Sequence, residues 1–137
     1  MPPRIYPTVA ETIETHRLLI EEFGGRDGIR DKGLLESAVL RPQNGYYNGL
    51  IEEASALTES LANNHPFLDG NKRVSFVMTD VMLRANGYLL DVEPFAAHKR
   101  ITEAMEKNSF RFPTIRDWIA SIVTPLIAEE SKTRKKK

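Results

Sequence analysis

Apolar positions recur along this chain at helical spacing, one run after another. Val9, Ile13, His16, Ile20 and Phe23 fall at steps of four and three on one face. Thr8 with Glu11 forms a capping-box signal ahead of them, and Gly24-Gly25 ends the run. Asp31 can cap a short second helix, which reaches about Leu40 and must stop before Pro42. From Arg41 to Gly49 the breakers Pro42, Asn44, Gly45, Asn48 and Gly49 interrupt any period, so the stretch reads as an ordered excursion. A third helix is expected from about Ile51 to Asn64. Its stripe is Leu50, Ala54, Leu57 and Leu61, and the spacing carries on to His65. A fourth runs from about Asn71 to Asn86 and is closed by Gly87. Val74, Phe76, Val77, Met78, Val81, Met82, Leu83 and Ala85 cover most of its circumference, the mark of a central, buried helix. Pro94 opens a fifth helix, to about Lys107. Thr114 with Asp117 caps a sixth, to about Ala128. The pattern predicts a small all-α bundle of about six helices.

Composition narrows the class. The 137 residues suit one domain, 1–128, which can bury roughly two-thirds of its unfolded surface. There is no cysteine, which removes disulfides and zinc–thiolate sites. No run of 18 apolar residues and no signal-peptide pattern is present, so the expectation is a cytoplasmic protein without a membrane role. The net charge of zero conceals an asymmetry. Five of the 19 basic residues lie in the last six positions, leaving 14 against 19 acidic residues elsewhere, a net of about −5. An acidic body argues against broad nucleic-acid binding. Residues 129–137 read as a basic, disordered tail.

The loop between the third and fourth helices breaks an electrostatic rule. Lys72 and Arg73 occupy the first turn of the fourth helix, where the helix dipole disfavours cations by a few tenths of a kcal/mol each. A bound anion would reverse that cost, meeting free backbone N–H groups and both cations together. Gly70 permits close backbone approach, and Asn71 can donate through its amide. Asp69 could hold magnesium, which takes one or two carboxylates and lets phosphates complete its shell. His65, with an ordinary pKa near 6.5, suits a general base. Phe67 would pin the loop by burying its ring. Read singly, Asp69-Gly70-Asn71 is a turn with an N-cap and Lys72-Arg73 a solvated pair. Only the conjunction points to phosphoryl or nucleotidyl transfer.

The segment HPFLDGNKR resembles the signature of the Fic/Doc superfamily: histidine, any residue, phenylalanine, any residue, an acidic residue, glycine or alanine, asparagine, a variable position, arginine. The match holds at all nine positions. Phe23-Gly24-Gly25, Gly28-Ile29-Arg30-Asp31, Gly33 to Ala38 and Arg41-Pro42-Gln43-Asn44 extend the resemblance to the Doc branch across most of residues 5–125. It implies a compact Fic/Doc-type bundle with a short flap beside the active-site loop, able to form a small hairpin. It also implies His65 as base, Asp69 as magnesium ligand, and Gly70, Asn71, Lys72 and Arg73 as phosphate contacts. Pro42, Gln43, Asn44, Tyr46 and Tyr47 correspond to the flap that aligns a target segment by strand addition.

The resemblance further implies a toxin kinase. Adenylylating members carry glycine at the position of Lys72 and a second arginine at the position of Phe76. Lysine at the first position is the Doc pattern. It implies transfer of the γ-phosphate of ATP to a threonine of elongation factor Tu, halting translation. The chain departs from Doc at Val77, near which Doc has asparagine, and at Gly70, where Doc has alanine. Adenylyl transfer and an inert binding module are the alternatives. The family's inhibitory-helix pattern is absent: Ser55 to Glu59 is followed by Ser60, and Thr102 to Glu106 by Lys107. Restraint by a separate antitoxin protein is the implied arrangement. His16, on the apolar face of the first helix, reads as a hydrogen-bonded core residue. His98, beside Lys99 and Arg100, reads as surface.

Overall fold

Local side-chain caps open three of the six α-helices in the computed structural model, which describes residues 3–126. Helix α1 (Val9–Phe23) opens on a closed capping box. Thr8 Oγ accepts from the Glu11 N–H at 3.0 Å, and the Glu11 carboxylate accepts from the Thr8 N–H at 3.0 Å. Helix α2 (Lys32–Leu40) is capped by Asp31, which accepts from the Leu34 N–H. A 3₁₀ turn, Arg41–Gln43, follows directly. Helices α3 (Leu50–Asn63) and α4 (Asn71–Ala85) flank the motif loop. Strand β1 (Tyr88–Leu90) leads to α5 (Pro94–Glu106), where Glu93 caps the Phe95 and Ala96 N–H groups. Helix α6 (Phe112–Ile122) runs into strand β2 (Val123–Pro125).

Helix α4 packs against α1, α3, α5 and β1, so it lies at the centre. Its Val74, Met78 and Met82 meet Leu57 and Leu61 of α3, Leu35 and Val39 of α2, Ile101 of α5, and Ile115 and Ile119 of α6 in one core. Each such fully buried side chain is worth roughly 1.5–3 kcal/mol. Helix α3 is buried along more of its length than α4, although its apolar stripe is the narrower in the sequence. The reason is chemical. Ser55 and Thr58 of α3 hide their hydroxyls by donating to the carbonyls of Ile51 and Ala54, both at 2.7 Å. Thr58 also pairs with Thr79 of α4, so small polar residues occupy a close helix–helix contact without an unpaired oxygen.

Three expectations need correction. The sixth helix begins at Phe112, not at a Thr114 cap, because the Glu59 carboxylate of α3 accepts from the Phe112 N–H at 2.6 Å. It ends at Ile122, where the chain turns extended. Strand β2 then pairs antiparallel with β1, Leu89 opposite Thr124. The expected end at Ala128 and the basic tail 129–137 lie outside the described residues. Finally, the flap is the 3₁₀ turn followed by bends, and the small sheet lies elsewhere, between β1 and β2. Among the described residues, no helix is long and apolar enough to cross a membrane.

Candidate active site

The segment between α3 and α4 folds against a rail formed by residues 28–31. The Leu68 N–H donates to the Gly28 carbonyl at 3.0 Å, and the Arg30 and Asp31 N–H groups donate to the Pro66 carbonyl. Ile29 and Phe67 form a single antiparallel bridge. The Arg30 guanidinium donates to the carbonyls of Asn64 and His65, capping the end of α3. These bonds explain His65, which the helical spacing placed on the inward stripe of α3. Instead α3 stops at Asn63, and His65 takes a left-handed backbone (φ 50°) and is exposed. A non-glycine residue in that region is held there by its surroundings.

Beneath the loop lies His16 of α1, only 1% exposed. Its ring stacks on Phe67 at 3.8 Å and 6°. Its Nε2 donates to the Asp69 carbonyl at 2.7 Å, and Nδ1 lies 3.6 Å from Asp27 Oδ1. Asn71 is buried. Its Oδ1 accepts from the Phe67 N–H, and its Nδ2 donates to the Phe67 carbonyl. The Asn71 amide, expected to face phosphate, therefore closes the loop on itself.

The Asp69 carboxylate is exposed and accepts from the Arg26 N–H at 3.2 Å and the Gly70 N–H at 2.9 Å. These two backbone donors hold its pKa below the usual carboxylate value. Gly25 makes the first contact possible: a Cβ there would stand 2.8 Å from Asp69 Oδ2, and its φ is +111°. Gly70 enters α4 in the left-handed conformation. Among the described residues, no side chain caps the first turn of α4, unlike α1, α2 and α5. Lys72 and Arg73 sit in that turn, partly buried. The Arg73 guanidinium lies 4.5 Å from the Phe23 ring centre, within cation–π range.

These pieces surround a cleft of about 380 Å³ lined by His65, Leu68, Asp69, Gly70, Asn71, Lys72, Arg73 and His98. Every motif residue expected to touch nucleotide or metal is at this cleft, while Phe67 lies under it. His98 corrects the surface reading: it is partly buried, faces Lys72 and Arg73, and its pKa is lowered, first by burial and then by those two cations. Phe76 and Val77 do not line the cleft. Nor do the flap residues Pro42, Gln43, Asn44, Tyr46 and Tyr47. Pro42 is buried. The Tyr47 hydroxyl accepts from Arg41 Nε at 2.7 Å and its ring packs on Phe112, whereas Tyr46 is 82% exposed. Tyr47 thus fixes the flap, and Tyr46 projects from it. A lone ionised carboxylate fits a magnesium ion that draws its other ligands from phosphate and water. Among the described residues there is no group of three acidic or histidine side chains to cage a metal.

A model described as the Fic/DOC family matches residues 6–83, more than half of the chain. The chain belongs to the Fic/DOC family. The match takes in α1, the rail, the flap, α3, the motif loop and nearly all of α4, but not α5, and hence not His98. The chain is also 44% identical over 73 residues to Toxin Doc of Mycolicibacterium smegmatis. That alignment covers 50% of this chain and 56% of the relative, so it spans just over half the relative's length.

Proposed function

We propose that this Fic/DOC chain is the toxin of a toxin–antitoxin pair and transfers the γ-phosphate of ATP to a protein hydroxyl. The observation that carries the reading is Lys72. It lines the cleft beside His65, in an uncapped helix turn, at the position where adenylylating members have glycine. A lysine there fills space that a phosphate would otherwise take, which favours a nucleotide bound with its γ-phosphate towards the base. His65 accepts the proton of the attacking hydroxyl as the new phosphorus–oxygen bond forms. The bond from the γ-phosphorus to the β-phosphate oxygen breaks, and ADP leaves. Lys72, Arg73 and the first-turn N–H groups of α4 hold the phosphate charge through the step. Asp69 would hold Mg2+, which supplies charge neutralisation to the phosphates when bound.

The target we favour is a threonine of elongation factor Tu, aligned by the flap from Pro42 to Tyr47, so that translation stops in the cytoplasm. Restraint comes from an antitoxin protein, since the chain lacks the family's inhibitory-helix pattern. Adenylyl transfer is the second reading, favoured by Gly70, the residue of the wider Fic proteins. Incubation with magnesium, elongation factor Tu and ATP labelled at the γ- or the α-phosphate separates them. Label from the γ-position alone is the expected result. Label from the α-position alone would overturn the kinase reading in favour of AMP transfer. Toxicity and labelling that persist unchanged in His65→Ala would remove His65 as base, and binding without any labelling would make the chain an inert module.

A further inference from the structure

The side chain of His98 has no part in the transfer step above. His98 of α5 lines the same wall as Lys72 and Arg73, and its Nδ1 is buried with no hydrogen-bond partner among the described residues. The ring is neutral at neutral pH, because burial and the two neighbouring cations all disfavour a further positive charge. A neutral imidazole carries one N–H. Placed on Nδ1, that hydrogen would be a buried donor without an acceptor, the rarer and costlier kind of orphan. Placed on Nε2, it is offered to the cleft.

We propose that His98 is a third phosphate-binding side chain of this site, donating from Nε2 to an oxygen of the nucleotide's phosphate chain. The inference rests on the cleft being a nucleotide site. It adds a contact from α5, outside the part of the chain that the family model matches. The position favours a neutral donor over a third cation, since a lysine or arginine there would be repelled by Lys72 and Arg73 whenever the cleft is empty. With an anion seated among the three, the N–H donates to a charged oxygen and the bond strengthens. Lys99 and Arg100, next to His98 on α5, are exposed and so add little to the field within the cleft. An unpartnered buried nitrogen in the free protein is the sort of local cost that binding sites retain.

Calorimetric titration with sodium tripolyphosphate and with ATP, in magnesium at neutral pH, tests this. His98→Leu removes the donor, and His98→Gln returns an N–H near the Nε2 position. His98→Leu should weaken both ligands about tenfold, and His98→Gln should recover most of that loss. The melting temperature of ligand-free His98→Leu should not fall below wild type, because leucine removes the orphaned nitrogen. A wild-type affinity of His98→Leu for tripolyphosphate would overturn the proposal. So would a loss confined to ATP, which would place His98 against the nucleoside. A melting point several degrees lower with affinity unchanged would make the residue structural. Arg73→Ala separates the two levels of inference. If wild type and Arg73→Ala both fail to bind either ligand, the nucleotide reading itself fails. If wild type binds, Arg73→Ala weakens and His98→Leu does not, only the role of His98 falls.

Discussion

At the scale of single residues, Asp69 is tied at three atoms. Its carbonyl oxygen accepts from His16, and its two carboxylate oxygens accept from the Gly70 and Arg26 N–H groups. The unfolded chain lacks these donors, so folding depresses the carboxyl pKa. The resulting stabilisation is complete above the unfolded value of about 3.9 and is lost as pH falls through the lower, folded value. Asp69→Asn removes the charge and with it this acid limb. The urea midpoints of wild type and variant should therefore converge as pH drops from 6 to 3; a constant gap across that range would show that Asp69 does not titrate with unfolding. The members of this site were readable in the sequence where chemistry and position coincide, as with Asp69, Lys72 and Arg73. His98 was not readable. Its neighbours Lys99 and Arg100 give a local window every sign of surface, and only the packing of α5 across α4 turns the ring into the cleft. Nor could helical spacing reveal that His65 leaves the helix, because the groups that hold it there belong to Arg30.

At the scale of elements, the distance to the cap decided what could be anticipated. Helices α1 and α2 are capped from within three residues, and both starts agree with the sequence reading. The cap of α6 comes from Glu59, 53 positions away, so the local Thr114–Asp117 signal misled. The β1–β2 pair escaped notice for a similar reason: three residues per strand are too few to show alternation, and the partners lie far apart in sequence. Glu59 also accepts from Arg41 Nη1 at 2.9 Å, joining α3, α6 and the flap. Glu59→Ala leaves the first N–H of α6 without its acceptor and takes the carboxylate from Arg41, which keeps Ser60 and Tyr47. It should cost about 1–3 kcal/mol, read as a lower urea midpoint. Mobility of the Tyr47 ring should rise with it. An unchanged midpoint would mean that water replaces the carboxylate at no cost.

On the scale of the whole molecule, the cleft draws on α1, the rail, the motif loop, α4 and α5, so a ligand seated in it must stabilise the fold as a unit. At about 100 times its dissociation constant a nucleotide adds about 2.7 kcal/mol, enough to raise the melting temperature by several degrees. Scanning calorimetry with ATP and magnesium should show that rise in wild type and in His65→Ala, and a much smaller one in Lys72→Ala. A rise that survives Lys72→Ala in full would place the ligand elsewhere.

The rail at residues 28–31 also orders events in time. Arg30 reaches 35 positions ahead to the His65 carbonyl, and His16 reaches 53 ahead to that of Asp69. During synthesis both supports emerge first and wait for the loop they will shape. His98 follows still later. A half-made chain therefore carries the whole signature HPFLDGNKR before α5 brings His98 to the cleft. For a protein whose proposed target is a component of translation, the last wall of the cleft is also the last part of it to leave the ribosome.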